Sequence, residues 1–83
     1  MSMGGQSSEY GELQYLVDRL FRTSDHVEQV DLVLAAEDLG LSDDLMEICT
    51  CVPSGVYGRA RLCTKMNASI VAHGWARRYG LVE

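Results

Sequence analysis

The sequence lacks any hydrophobic run long enough to cross a membrane. Its longest apolar run extends from Leu32 to Ala36, whereas a membrane-spanning helix needs about 20 consecutive apolar residues. The first eight residues contain neither a basic group nor an apolar segment, so they do not have the pattern of a secretory signal. These absences argue against a membrane protein, and we expect a cytoplasmic protein without a membrane partner.

Cysteine occurs only three times, an odd number that does not suit a disulfide framework. Together with His73, the residues Cys49, Cys51 and Cys63 are the candidate metal ligands, but zinc sites favour two close ligand pairs and here only Cys49 and Cys51 are close. Residues two apart on a helix point about 200° from each other, so these two could converge only if the helix had frayed there. We therefore expect no metal and no cofactor, although the sequence alone leaves metal binding by these four residues open.

Catalytic motifs are also missing. Gly55 and Gly58 lack the preceding strand and the following lysine of a phosphate-binding loop. Neither His26 nor His73 lies at a spacing that forces contact with a nucleophile, although such pairs can form across a fold. A few short helices also leave little room for a pocket of a few hundred cubic ångströms. We therefore expect no enzymatic activity and no small-molecule substrate.

What the sequence does contain is the composition of one small globular domain. It has 83 residues, of which 47% are hydrophobic, and a mean hydropathy of −0.03. A chain of this size buries only a little over about 60% of the surface that it exposes when unfolded, so the core is small. We interpret residues 1–8 as a disordered leader and residues 9–83 as a single helical domain.

Apolar residues recur with a helical period in four segments, and no segment shows the alternation of a strand. The first segment predicts a helix over residues 9–22, because its apolar residues share one face. Asp25 followed by Glu28 has the spacing of a capping box for a second helix, which Gly40 ends.

Ser42 is expected to begin a third helix as its N-cap. The turn around Pro53 separates it from a fourth helix over residues 58–72, with Gly74 as a left-handed cap. Residues 75–79 would add one further turn, and residues 80–83 are expected to form a tail.

The segment from Val33 to Val52 resembles the centre of the helix-turn-helix family. Ala36 is a small residue near the end of one helix, Gly40 lies in the turn, and Ser42 is the hydroxyl cap of the next helix. In that family the second helix enters the major groove of DNA. Here Asp43 and Asp44 occupy its first turn, and their charge opposes contact with phosphates. We therefore expect a helix-turn-helix used for packing, with DNA reading as the less favoured interpretation.

The predicted fold class is all-α: a compact bundle of about four short helices with a helix-turn-helix-like centre. The predicted core consists of the apolar residues that share the inner faces of these helices. They are Leu13, Leu16, Val17, Leu20, Val30, Leu34, Leu39, Leu45, Ile48, Leu62, Met66 and Ile70.

Acidic and basic residues are concentrated in different halves of the chain. Residues 1–47 hold eleven of the twelve acidic residues, and residues 48–83 hold five of the seven basic residues. Basic residues interleaved with aromatic rings are typical of RNA or single-strand binding, but a pI near 4.8 is far below that of most nucleic-acid-binding domains. The candidate partner-binding residues are Arg61, Lys65, Trp75, Arg77, Arg78 and Tyr79. The alternative is that Trp75 and Tyr79 anchor the end of the chain to the core.

More apolar side chains lie outside the predicted inner helix faces than the small core can bury, and this surplus predicts an interaction with another molecule. A chain this small cannot bury all of them, so some are expected to contact a second molecule. These residues are Tyr10, Tyr15, Val33, Met46, Val56, Tyr57, Val71 and Leu81. We expect an adaptor or regulatory protein that acts by protein–protein interaction with an unidentified partner, a second copy in a homodimer being one candidate. The alternative is a nucleic-acid-binding regulator that uses the basic C-terminal segment or a degenerate helix-turn-helix.

Overall fold

The computed structural model describes residues 7–83, so residues 1–6 of the predicted leader lie outside the described residues. The elements, in chain order, are α1 Glu12–Leu20, β1 His26–Glu28, α2 Gln29–Asp38, α3 Asp43–Thr50, β2 Val56–Gly58, α4 Arg59–Ala72 and α5 Ala76–Tyr79. The chain is mostly helical, as predicted, but it also contains a small sheet.

The sheet is a two-stranded antiparallel ribbon that the sequence did not predict. Val27 faces Tyr57 at its centre, and both side chains are buried. The Tyr57 hydroxyl also donates a hydrogen bond to the Pro53 carbonyl at 2.7 Å. The expectation of no strands was wrong because a three-residue strand is too short to show alternation. Each strand forms only by pairing with a partner distant in the sequence.

The ribbon joins two similar units, α1–β1–α2 and α3–β2–α4. Val27 and Tyr57 hold corresponding positions in the two units, and so do Leu32 and Leu62 in the helices that follow the strands. All four side chains are buried. Taken alone, each unit would expose an apolar helix face. In the folded chain, the other unit covers that face.

Several predicted helix ends are confirmed. Gly40 and Gly74 have positive φ angles of 68° and 75°, which suit glycine after a helix. The Ser42 hydroxyl accepts a hydrogen bond from the Leu45 backbone N–H at 3.5 Å, as expected of an N-cap.

Two helix starts differ from the prediction. The first helix begins at Glu12 rather than at residue 9, because Gly11 before it has a φ of 92°. The capping box of α2 is formed by Glu28 and Asp31, three residues later than predicted. The strand His26–Glu28 occupies the positions that the sequence assigned to the first turn of that helix.

The core contains most of the predicted residues, with one correction on α2. The eight that are buried are Leu13, Leu16, Val17, Leu45, Ile48, Leu62, Met66 and Ile70, while Leu20 and Leu39 are partly buried against them. Val30 and Leu34 are exposed, so their assignment to the core was wrong. Buried residues outside the predicted core are Val27, Leu32, Ala36, Cys49, Val52, Tyr57, Cys63, Tyr79 and Val82.

The predicted C-terminal tail is instead fixed to the domain by side-chain amides. The Asn67 amide donates to the Val82 carbonyl at 2.9 Å and accepts from the Val82 N–H at 2.8 Å. Gln14 makes the same pair of bonds to Glu83, at 2.8 and 2.9 Å. Since Val82 is also buried, this segment is part of the fold. Within residues 7–83, no helix has the length and apolar content to cross a membrane.

Candidate interaction surface

Arg61 and Lys65 lie one turn apart on the exposed side of α4. The Arg61 guanidinium lies 5.2 Å from the centre of the Tyr57 ring, a cation–π contact. Among residues 7–83, no carboxylate forms an ion pair with either cation. Both side chains are therefore available to a partner.

Trp75 and Tyr79 pack against the body of the domain. The Trp75 ring stacks on His73 with centroids 4.3 Å apart and meets the Tyr79 ring edge-on at 5.5 Å. Tyr79 is buried, and its hydroxyl donates a hydrogen bond to Asp44 at 2.6 Å, which raises the pKa of Tyr79. Tyr79 is therefore a packing anchor, the alternative that the sequence left open, and it offers little surface to a partner.

Arg77 and Arg78 lie on α5, beyond the C-terminal end of α4. Arg61 is about 16 Å along the helix axis from that end, given the rise of an α-helix, so the four cations do not form one patch. Arg78 lines an open cleft of about 320 Å³ whose other charged side chains are all acidic. The other residues lining it are Ser7, Glu9, Ser42, Asp43, Asp44 and Tyr79.

The thiols do not assemble a metal centre. Cys49 and Cys63 are buried in the core, whereas Cys51 is exposed and donates a hydrogen bond to Glu47 at 3.4 Å. The His73 imidazole lies 3.8 Å from the same carboxylate. In the described part of the chain, no group of three or more His, Cys, Asp or Glu residues is arranged to hold a metal ion.

The exposed side of α2 carries the apolar pair that the sequence placed in the core. Val30 and Leu34 are 50% and 57% exposed and lie one turn apart. Leu32 and Ala36 occupy the opposite, buried side of the same helix. Because α2 is apolar on both sides, its sequence period does not decide which pair faces the core.

An apolar groove lies between α1 and the turn that follows α2. It has a volume of about 280 Å³, is open to solvent, and is lined by Gly11, Glu12, Tyr15, Leu39 and Leu41. Tyr15 is half-exposed, and Arg19, one turn further along α1, forms an ion pair with Asp38 at 2.8 Å. Asp38 in turn lies one turn from Leu34. The Arg19–Asp38 ion pair thus links the groove to the α2 pair, and the two together are here called the α1–α2 face: Tyr15, Val30, Leu34, Leu39 and Leu41.

Carboxylates border the α1–α2 face. Glu12 borders the groove, and Asp31, Glu37 and Asp38 flank the exposed pair on α2. Of these, Asp38 is paired with Arg19, and the Asp31 side chain accepts a hydrogen bond from the Glu28 N–H at 2.9 Å. The face thus combines an apolar centre with an acidic border, and α2 itself contains no basic residue.

A further ion pair holds the two units together beside this face. Arg59, the first residue of α4, bonds the Asp18 carboxylate of α1 and also donates to the Glu83 carbonyl at 2.8 Å. The guanidinium holds the pKa of Asp18 below its ordinary value. Arg59 is therefore engaged within the domain, in contrast to Arg61 and Lys65.

Comparisons with protein-family models, with curated proteins and with solved structures found no match to this chain. Function therefore has to be inferred from the surfaces themselves.

Proposed function

We propose that this chain is a non-catalytic interaction protein that binds another protein through the α1–α2 face. The exposure of Leu34, at 57%, beside Val30 on the same helix face is the observation that carries the proposal. Single exposed apolar side chains are normal on a protein surface. Two neighbouring ones on one helix face, with an apolar groove linked to that helix by an ion pair, favour an interaction site.

The shape of the face suggests how a partner would be held. Val30 and Leu34 project from one helix with the spacing of helix anchors that insert into a partner's groove. Tyr15 offers the rigid, amphipathic type of side chain that is enriched where proteins bind one another. The carboxylate border favours a partner with basic groups around its own apolar contacts.

The test is capture of proteins from an extract of the source cells by the immobilised chain, compared between the native sequence and two variants. Leu34→Gln removes an anchor of the α1–α2 face. Leu81→Gln is the matched control, because the same substitution is made at a leucine with 52% exposure outside that face. We expect at least one protein to be retained by the native chain and by Leu81→Gln, and to be lost about tenfold or more with Leu34→Gln.

Circular dichroism and thermal melting of both variants verify that they fold. Identical sets of captured proteins for the native chain and the folded Leu34→Gln variant would contradict the proposal. Loss of all capture with both variants would also contradict it, since the loss would then not be specific to the α1–α2 face.

A further inference from the structure

We propose that the α1–α2 face binds a second copy of this chain, and that it meets the exposed side of α4 there. This inference rests on the proposed function, because it uses the same face and names its partner. The side of α4 concerned, here called the α4 face, is formed by Ala60, Arg61, Thr64, Lys65, Ala68 and Val71.

The two faces have opposite charge. The helix α2 contributes Asp31, Glu37 and Asp38 and no basic residue, whereas α4 contains no acidic residue. Within one chain, Arg61 and Lys65 form no ion pair with any carboxylate of residues 7–83. A second copy can supply the carboxylates that these cations lack.

The two faces also have complementary shapes. Val30 and Leu34 project from α2, while the α4 face is built mainly of small side chains, including Ala60 and Ala68. Small residues let two helices approach closely, so the projecting pair can pack against the backbone of α4. The lysine and arginine stems would cover the edges of the contact while their charged ends reach the carboxylates.

The two-unit architecture makes the contact reciprocal. The helices α2 and α4 both follow a strand of the ribbon, and Asp31 on one corresponds in position to Arg61 on the other. A twofold rotation between two chains can therefore set α2 of each against α4 of the other. Both contacts then form at once, as in an isologous dimer.

Sedimentation velocity of the 9.2 kDa chain tests the association directly. The faces are small, so we expect a weak complex with a dissociation constant on the order of 10–100 µM. Its mass should rise with concentration at about 50 mM NaCl and fall back toward the monomer at about 500 mM, because salt screens the exposed charges.

A charge exchange tests the surfaces themselves. The double variant Arg61→Glu with Lys65→Glu makes the α4 face acidic, and Glu12→Lys with Glu37→Lys makes the border of the α1–α2 face basic. Each variant alone should be a monomer, because two like-charged faces would meet. An equimolar mixture should associate again, because each face of one variant is now complementary to a face of the other.

The control is Arg77→Glu with Arg78→Glu, which changes the net charge by the same amount as the α4 variant but on α5. It should associate like the native chain. A native chain that stays monomeric at about 1 mM would overturn the inference and leave the proposed function standing if Leu34-dependent capture is found. Association that the α4 variant retains, or that the control loses equally, would overturn it as well.

If the α4 variant does not fold, the milder pair Arg61→Gln and Lys65→Gln takes its place. It should weaken association about tenfold or more, and an unchanged dissociation constant would overturn the inference.

Discussion

The three cysteines have different surroundings and therefore different reactivity. Cys49 is fully buried, and burial raises its pKa to about 12. Burial also raises the pKa of Cys63. Cys51, the first residue after α3, is exposed. Since the thiolate is the reactive form, the two buried thiols are unreactive in the folded chain.

We therefore expect a thiol reagent at about pH 8 to modify Cys51 rapidly and the other two only after unfolding. Mass spectrometry of the labelled peptides measures the sites. The Cys51→Ser variant should stay unlabelled until denaturant is added. Equal early labelling of Cys49 or Cys63 would show that the core opens readily, contrary to their burial.

The ion pair between Asp18 and Arg59 makes stability depend on pH. Arg59 lowers the pKa of Asp18 in the folded chain, so the carboxylate stabilises the fold above its unfolded pKa of about 3.9. This contribution is lost as the pH falls through the lower, folded pKa.

The variant Asp18→Asn should accordingly be less stable than the native chain at neutral pH, and the difference should vanish in acid. Urea unfolding at a series of pH values from about 7 to 2 measures it. Asp25→Asn, at an exposed position without an ion pair in residues 7–83, is the control. A constant difference between Asp18→Asn and the native chain over this range would mean that the ion pair does not carry the effect.

At the scale of elements, the C-terminal segment is held by the side chains of Gln14, Arg59 and Asn67 rather than by a strand. Asn67 satisfies both the N–H and the carbonyl of Val82, and Val82 is buried. Loss of the Asn67 amide would leave the N–H and the carbonyl of Val82 without hydrogen-bond partners at a partly buried position.

We expect Asn67→Ala to lower the free energy of unfolding by about 1–3 kcal/mol. Thr64→Ala on the same helix is the control, because the exposed Thr64 hydroxyl, among the described residues, bonds only to the Ala60 carbonyl of its own helix. Urea unfolding of both variants decides the matter. Equal stabilities would show that Val82 is held by its apolar contacts alone.

Signals carried by neighbouring residues predicted the helices and the residues that end them. Contacts between residues far apart in the sequence left no recognisable pattern. Gly40, Ser42 and Gly74 were predicted because a cap depends on a few adjacent residues. The ribbon was missed because Val27 and Tyr57 acquire their roles only by facing each other. The start of α2 was misplaced for the same reason, since His26 to Glu28 form a strand instead of the first turn of the helix.

At the scale of the whole molecule, the charge pattern was predictable but the location of the apolar face was not. The sequence separates acidic from basic residues, and within residues 7–83 no carboxylate of α2 forms an ion pair with Arg61 or Lys65. Val30 and Leu34 were assigned to the core because they have helical spacing, as Leu32 and Ala36 also do. In the folded chain Leu32 and Ala36 are buried, and Val30 and Leu34 remain outside.

In the two-unit architecture the peptide bond between Gly40 and Leu41 joins the units covalently, and its N–H also donates a hydrogen bond to the Ala36 carbonyl at 3.2 Å, at the end of α2. Residues 1–40 carry eight acidic and two basic groups, and residues 41–83 carry four acidic and five basic groups. Separate peptides of these lengths would attract each other, and each would bring the strand and the apolar helix faces that the other lacks. The two units of the monomer therefore correspond to two complementary subunits that are joined covalently. Cleavage of the chain after Gly40 should turn its folding into a bimolecular reaction.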